Sequence, residues 1–204
     1  MKYHHRIATQ QDLTAIVAIY NSTVASREVT ADTEPVSVES RQAWFDHHNA
    51  TLRPLWVVEQ ELDQSVDQSV DDAASPAIVG WLSYSDFYGR PAYAGTAEIS
   101  IYIHEVARGK GIGRYLMEQA LTYAPQAGVH TLLGFVFGHN APSLKLFEVF
   151  GFERWANMPR VATLDGIERD LVILGKRVAS IYAGCASAIC TIDLFSLILG
   201  LPVR

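Results

Sequence analysis

Hydrophobic periodicity divides the first half of the chain into four strands and two helices. Apolar runs bounded by polar segments predict strands at "HHRIA", "PLWVVEQ", "AIVGWLSYSDF" and "GTAEISIYIHE". Apolar residues at helical spacing predict one helix after Asp12, its expected N-cap, and a second from about Val38 to His48, capped by Ser37. The segment between these helices, "SREVTADTEPVS", is polar and contains a proline, so we expect a loop there.

The second half of the chain alternates between helices and strands. The glycine-rich stretch "RGKGIG" opens a predicted helix that runs to about Ala127. Then follow a strand, "VHTLLGFVF", a short helix, "APSLKLFEVF", with Gly151 as its C-terminal cap, and two strands, "ERWANM" and "IERDLVILGKRV". Several antiparallel strands with one strand–loop–helix–strand unit predict an α/β (α+β) fold with a mixed sheet, not a regular doubly wound nucleotide fold.

Composition favours one globular domain in a reducing compartment. The chain has 204 residues, of which 49% are hydrophobic, enough for a sizeable core within residues 1–178. The net charge of −6, without clustered basic residues, argues against nucleic-acid binding. Cys185 and Cys190 provide neither a disulfide framework nor a zinc spacing, and the N-terminus lacks the apolar core of a signal peptide. We therefore expect a cytoplasmic protein without a metal site.

Two segments fall outside this pattern. The acidic stretch "ELDQSVDQSVDDAASP" repeats "DQSV" in tandem and predicts a mobile hairpin loop. Residues 179–204 form an apolar extension of unknown role. It is long enough to span a membrane, but Ala, Gly and Ser dilute its hydrophobicity, and Asp193 would be costly near the bilayer centre. We expect no membrane span; a helix packed on the body, an oligomer contact and an extension without function all stay open.

The stretch "RGKGIG" has the properties of an anion-binding loop. Gly109, Gly111 and Gly113 permit positive φ angles and close approach of backbone N–H groups to an anion, and the following helix adds unpaired donors. Arg108 and Lys110 add positive charge. The P-loop pattern fails because arginine follows the last glycine, and the dinucleotide pattern G-x-G-x-x-G fails on spacing. These residues favour a pyrophosphate-binding loop, with a plain glycine-rich turn as the alternative.

Two motifs together resemble a known enzyme family. Arg-x-x-Gly-x-Gly between a strand and a helix resembles the acetyl-CoA pyrophosphate loop of GNAT-type N-acetyltransferases, and "HNAPSLKLFEVFGF" resembles the family's Asn-x-x-Ser/Ala helix. The resemblance implies the GNAT fold, a mostly antiparallel sheet with flanking helices, and acetyl-CoA as cosubstrate. It places Asn140 on the pantetheine arm, Ser143 near the phosphates, and the arm against the strand before the loop. The implied cofactor-binding residues are Ile101, Tyr102, Ile103, Arg108, Gly109, Lys110, Gly111, Ile112, Gly113, Asn140 and Ser143.

Further segments within residues 4–178 resemble one subfamily, the phosphinothricin and methionine sulfoximine acetyltransferases. They include "RPAYAGTAEISIYI", "RQAWFDHH" and "NMPRVATLDGIERDLVIL". This resemblance implies direct acetyl transfer, in a ternary complex, to the amino group of a small amino-acid analogue. Phosphinothricin, methionine sulfoximine and methionine sulfone are the implied acceptors. A homodimer is implied as well.

Glu98 is the candidate general base. It is the single charged residue of the strand "TAEISIY", where burial would raise its pKa toward a useful value. From the residues alone, an outward-facing glutamate on a half-buried strand is the simpler interpretation, and the resemblance implies the catalytic role. Many relatives carry a Tyr or His seven residues after the motif's Asn, placed to protonate the departing sulfur. Here that position is Phe147, which cannot donate a proton.

The segment before this strand offers groups for acceptor recognition. Arg90 suits a carboxylate, and the aromatic residues around it suit a wall for a tetrahedral sulfur or phosphorus group; a surface cation is the alternative for Arg90. The predicted substrate-binding residues are Phe87, Tyr88, Arg90, Tyr93 and Thr96. Two other functions stay open. One is a GNAT enzyme for a protein N-terminus or a polyamine, and the other is a non-catalytic acyl-CoA-binding module, which the phenylalanine in place of the proton donor keeps in consideration.

Overall fold

The computed structural model describes residues 3–60 and 77–178. The stretch with the tandem "DQSV" repeat and the apolar extension, residues 179–204, lie outside the described residues. The mobile loop and the separate extension therefore stay predictions.

The described residues form one mixed sheet. Its strands are β1 (Tyr3–Ile7), β2 (Leu55–Gln60), β3 (Ala77–Asp86), β4 (Thr96–Ile103), β5 (Thr131–Phe137), β6 (Glu153–Leu164) and β7 (Ile167–Arg177). They are arranged in the order β1-β2-β3-β4-β5-β7-β6. Every neighbouring pair is antiparallel except β4 and β5, which are parallel. The predicted mixed and mostly antiparallel sheet is confirmed.

Helices cover both faces of this sheet. They are α1 (Leu13–Val24), α2 (Val38–Asp46), α3 (Ile112–Tyr123) and α4 (Ala141–Val149). Val57 of β2 packs with Ile16 and Ile19 of α1, whereas its neighbour Trp56 belongs to a second cluster with Leu116 of α3. Because successive strand residues point to opposite faces, α1 and α2 lie on one face and α3 and α4 on the other. Burial on both faces explains why β2 reads as an uninterrupted apolar run.

Strands β4 and β5 separate after a short pairing. They pair only where Thr96–Glu98 lies beside Thr131–Leu133. On its other edge, β4 stays paired with β3 from Ala97 to Ile103. The second half of β4 therefore borders a gap on the β5 side, and this gap positions the site.

Helices α1 and α2 begin at the predicted cap positions, but only one of the two side chains makes a capping bond. Ser37 caps α2, since its side chain accepts a hydrogen bond from the Ser40 backbone N–H. Asp12 occupies the predicted N-cap position of α1, but its carboxylate makes no capping bond: it accepts from the backbone N–H of Thr9 at 2.7 Å and from the Arg6 guanidinium at 2.7 Å. The Arg6 guanidinium lowers the pKa of Asp12 to about 2. Arg6 bonds both carboxylate oxygens of Asp12, and this bidentate ion pair is stronger than a single bond to a backbone N–H.

Helix ends depend on Pro and Gly. Helix α3 ends at Tyr123, earlier than the predicted Ala127, because Pro125 has no N–H to continue the helical bonds. Gly151 follows the last residues of α4 with φ 75°, which confirms it as the left-handed cap. In the described ranges, none of the helices has the length and apolar character needed to cross a membrane.

Candidate active site

The glycine loop before α3 depends on backbone conformation. Gly109 and Gly111 have φ of 73° and 88°, and a Cβ on either would meet no atom within 4 Å. Glycine is required there by the left-handed backbone and not by lack of space. Gly113 differs, because its Cβ would lie 3.1 Å from Leu146 Cδ2. The loop ends at the N-terminus of α3, where first-turn N–H groups have no helical partner.

A cleft of about 450 Å³ lies where β4 and β5 diverge. Its lining includes nine of the predicted cofactor-binding residues: Ile101, Tyr102, Ile103, Arg108, Gly109, Gly111, Gly113, Asn140 and Ser143. Arg114, the arginine after the loop, also lines it and adds a cation that the motif analysis did not assign. The cleft therefore joins the open edge of β4, the glycine loop and the start of α4.

Two predicted cofactor-binding residues do not line this cleft. The side chain of Ile112 is 1% exposed and packs in the core beneath α3. The carbonyl of Lys110 accepts a hydrogen bond from the Tyr3 hydroxyl at 2.9 Å, and Lys110 is absent from the cleft lining. Ile112 can therefore contribute only its backbone to a ligand in the cleft, because its side chain lies on the apolar face of α3 that packs against the core.

Asn140 connects α4 to the loop after α1. Its Oδ1 accepts from the Ser143 backbone N–H at 3.1 Å and so caps α4, while its Nδ2 donates to the Glu28 carbonyl at 2.9 Å. The neighbouring His139 Nε2 lies 2.7 Å from the Arg27 carbonyl. One Nδ2 hydrogen and one Oδ1 lone pair of Asn140 stay available for a ligand.

Phe147 lines the cleft without offering a proton. The ring is 5% exposed and packs edge-on against Phe152, with centroids 4.9 Å apart. It also lies against Gly134 of β5, where a Cβ would be 2.3 Å from the ring. The residue at this position is a packing residue of α4.

A smaller cavity of about 180 Å³ contains Glu98. Its lining is formed by Ile16, Val17, Tyr20, Arg41, Trp44, Trp81, Ser83, Ser85, Glu98, Ser100 and Tyr102. Burial raises the pKa of Glu98, and the Ser100 hydroxyl, 3.5 Å from its Oε1, opposes this only in part. Ser100 and Tyr102 line both this cavity and the cleft, so the two spaces meet along β4.

Aromatic side chains form most of one side of this cavity. Trp81 stacks on Tyr102 with ring centroids 4.3 Å apart, and Tyr20 and Trp44 lie 5.1 and 5.5 Å from Tyr102 and Trp81 respectively. These residues belong to no sequence motif, because they come from three separate elements, α1, α2 and β3. One signal existed: Trp81 begins an every-second-residue series whose next two members are serines, and the antiparallel register sets these opposite Ser100 and Glu98.

Arg41 is the cation of this cavity and was also missed. Its Nη2 donates to Asp32 Oδ2 at 2.6 Å, and its guanidinium lies 4.6 Å from the centre of the Tyr20 ring. The Tyr20 hydroxyl donates to the same carboxylate oxygen at 2.5 Å and also bonds Thr30. Ring and carboxylate together hold the guanidinium in place.

The predicted substrate-binding residues lie elsewhere in a single chain. Phe87, Arg90 and Tyr93 line a separate cavity of about 670 Å³, and Tyr88 is 75% exposed. The physical cause is Arg53, which pairs with Asp86 at 2.5 Å and donates to the Ala94 carbonyl at 2.8 Å. These two bonds hold both ends of the β3–β4 loop. Thr96 is on the same face of β4 as Glu98 but is absent from the lining of its cavity.

Over residues 3–60 and 77–178, no group of three His, Cys, Asp or Glu side chains is placed to hold a metal ion.

Comparison with known proteins shows the family of the chain. The model of the acetyltransferase (GNAT) family matches residues 16–152. The Bacillus subtilis (strain 168) protein YwnH, which has a provisional phosphinothricin acetyltransferase name, is 51% identical over 174 residues, 85% of this chain and 98% of that protein.

Two further relatives are more distant. The L-methionine sulfoximine/L-methionine sulfone acetyltransferase of Pseudomonas paraeruginosa is 32% identical over 169 residues, 83% of this chain and 91% of that protein. The crystal structure of a phosphinothricin acetyltransferase from Sinorhizobium meliloti in complex with acetyl-CoA has a TM-score of 0.76 at 26% identity, over 88% of this chain and 90% of that chain. The chain therefore belongs to the acetyltransferase (GNAT) family and is an N-acetyltransferase whose acyl donor is acetyl-CoA.

Proposed function

We propose that the protein transfers the acetyl group of acetyl-CoA directly to the amino group of a small amino-acid analogue such as phosphinothricin, methionine sulfoximine or methionine sulfone. One observation carries this proposal: Ser100 and Tyr102 line both the cleft and the cavity of Glu98. An acyl donor in the cleft and an amine in the cavity would meet along β4, so no covalent enzyme intermediate is needed.

The donor groups of the cleft suit acetyl-CoA. Arg108, Arg114 and the N–H groups of the glycine loop provide the charge and hydrogen-bond donors that a pyrophosphate requires. The edge of β4 beyond Glu98 lacks a partner strand on the β5 side, so its backbone groups can pair with the amides of a pantetheine arm. Ser143 and the remaining donor of Asn140 lie at the start of α4, on the same cleft.

Glu98 would remove the proton that blocks attack. An amino acid presents an ammonium group, and its proton moves to the Glu98 carboxylate. The nitrogen lone pair then attacks the thioester carbonyl carbon, the C–N bond forms, and the C–S bond breaks to release a thiolate. The nitrogen gives its second proton to solvent, which leaves the neutral amide. Burial raises the pKa of Glu98, which makes it a stronger base than an exposed carboxylate. A backbone N–H of β4 would stabilise the oxyanion by about 3 kcal/mol.

Phe147 leaves the thiolate without a proton donor at the position where many relatives have one. The phenyl ring is buried between α4 and β5 and has no titratable group. We propose that the sulfur departs as the thiolate and takes its proton from solvent, since a thiolate is stable enough to leave unassisted.

The acceptor class is supported by the size of the cavity and by the named activities of relatives. A volume of about 180 Å³ suits a small molecule and not an extended peptide. A relative 32% identical to this chain is named for methionine sulfoximine and methionine sulfone. These two facts favour an amino-acid analogue over a protein N-terminus.

An acceptor screen tests the proposal. CoA thiol release is measured at fixed acetyl-CoA with phosphinothricin, methionine sulfoximine, methionine sulfone, spermidine and a short peptide, and products are identified by mass. We expect acetylation of at least one of the three amino-acid analogues and intersecting initial-rate lines, as in a ternary mechanism. Turnover of spermidine or the peptide alone, or acetyl-CoA binding without turnover of any amine, would contradict it.

We also propose that the enzyme acts as a cytoplasmic homodimer. Several apolar side chains of β6 and β7 are exposed, namely Trp155, Met158, Val161 and Ile167. Exposed apolar residues gathered on one hairpin favour an interface with a second copy. Light scattering should give twice the mass of the chain, and a monomer mass at working concentration would exclude the dimer.

A further inference from the structure

We infer that Arg41 recognises the carboxylate of the amino-acid acceptor and thereby selects zwitterionic acceptors. The inference rests on the proposed function and deepens it, because it names the residue that defines the substrate class.

The charges around the cavity match those of a zwitterion. Among its described lining residues, Arg41 is the one cation and Glu98 the one carboxylate. An amino acid carries an ammonium group, which must approach Glu98 to lose its proton, and a carboxylate, which requires a cation in the same space. Arg41 meets that requirement, while a polyamine would place a second ammonium beside the guanidinium.

Arg41 is held in a position that leaves donors for a ligand. Asp32 receives one bond from Nη2, and the Tyr20 ring supports the guanidinium. In residues 3–60 and 77–178, no other hydrogen bond from this guanidinium is found, so several of its five N–H groups face no protein acceptor. The Asp32 side chain is 42% exposed and does not line the cavity, so water weakens its hold on the cation.

Arginine is suited to this task by its shape. Its planar fork binds both oxygens of a carboxylate, and the contact strengthens in a partly desolvated site such as this one, where the Arg41 side chain is 28% exposed. Arg90, the arginine that the sequence indicated for the same role, lines another cavity with Arg53 and His130. In a single chain it does not share a space with Glu98.

The test pairs each enzyme with two acceptors, one with a carboxylate and one without. Methionine sulfone and its α-carboxamide have nearly the same size, but the amide has a less basic amine. The change in the ratio of their kcat/KM values between wild type and variant therefore reports recognition of the carboxylate. We expect wild type to prefer the acid, and Arg41→Gln to lower the ratio roughly 10- to 100-fold, mainly through KM. Arg41→Lys should give an intermediate ratio, because lysine keeps the charge but loses the fork.

Controls separate recognition from folding. Arg154→Gln removes an exposed arginine that pairs with Glu148 at 3.0 Å and lines neither cavity, and it should leave the ratio unchanged. A general loss of activity that affects acid and amide equally would indicate a structural role for Arg41 and overturn the inference. If Arg41→Gln does not fold, Arg41→Lys provides the test instead. An acid-to-amide ratio of kcat/KM equal to that of wild type in Arg41→Lys would overturn the inference.

Two further outcomes distinguish failure of the Arg41 inference from failure of the proposed function. Loss of the preference in Arg90→Gln, with the preference kept in Arg41→Gln, would assign the carboxylate to Arg90 and overturn the inference alone. If wild type acetylates neither acceptor nor any other amino-acid analogue, the proposed function fails, and the inference that rests on it fails too.

Discussion

Asn140 donates a hydrogen bond from Nδ2 to the carbonyl of Glu28 across 2.9 Å. The bond ties the start of α4 to the loop that follows α1, and Val29 of that loop lines the cleft. The asparagine that the sequence indicates for the acetyl-CoA arm therefore has two structural roles as well, since it also caps α4.

Substitution of Asn140 should separate these roles. Asn140→Ala loses both bonds and should lower the free energy of unfolding by about 1–3 kcal/mol, measured by urea denaturation. Asn140→Ser keeps a capping oxygen for the Ser143 N–H but loses the Nδ2 donor to Glu28, so its unfolding free energy should fall between those of wild type and Asn140→Ala. Equal losses in the two variants would show that the cap contributes nothing.

Glu98→Gln should lose activity and gain stability at neutral pH. Without the base, kcat should fall about 10²- to 10⁴-fold while acetyl-CoA affinity stays near wild type. Burial raises the pKa of Glu98 in the folded state. The effect of this group on the free energy of unfolding is therefore most favourable below its unfolded pKa, where it is protonated in both states. That stability is lost as pH rises through the folded pKa, because the buried side chain becomes charged. A neutral glutamine avoids that loss.

Two pH series measure these effects. In calorimetry, the Tm of Glu98→Gln should exceed that of wild type at neutral pH, and the difference should vanish below about pH 4. In kinetics, wild-type kcat/KM should rise with pH through the raised pKa of Glu98, and the variant should lack this rise. A variant that keeps the same acid limb would assign it to another group.

Gly111→Ala should weaken acetyl-CoA binding. The residue has φ 88°, which costs an L-residue roughly 1–2 kcal/mol, and a shift to negative φ would turn the loop N–H groups away from the cleft. We expect a Kd for acetyl-CoA about 5- to 30-fold higher by calorimetric titration. Gly166→Ala is the matched control. Gly166 has φ 78°, a Cβ there would also meet no atom within 4 Å, and the residue lies in the β6–β7 turn, outside the cleft lining. It should lose similar stability with an unchanged Kd.

Gly134→Ala should destabilise the protein through Phe147. A Cβ at position 134 would lie 2.3 Å from the ring, so α4 or the ring must shift, at a cost of about 1–3 kcal/mol. Adding Phe147→Leu should recover part of this loss, because the shorter side chain leaves room for the methyl group. Urea denaturation of the two single variants and the double variant measures the coupling, and strictly additive losses would rule out the contact.

Local patterns sufficed for the parts of the site that are continuous in sequence. The "RGKGIG" loop could be identified because positive φ angles demand glycine, and the helix behind it was clear from its apolar spacing. The strand that carries Glu98 could be identified from its run of apolar residues between polar segments. Asp12 shows the limit of local rules, because a charged partner in β1, Arg6, withdrew its side chain from the helix it precedes.

The sequence by itself determined the order of helices and strands, the glycine loop before α3 and the family, because these depend on backbone conformation and on side chains close along the chain. Only the tertiary structure decided what surrounds Glu98. Tyr20, Arg41 and Trp81 come from α1, α2 and β3, and they meet through strand register and through packing of α1 and α2 on one face of the sheet. The arginine nearest to Glu98 in the chain, Arg90, lies in another cavity because Arg53 holds its loop there.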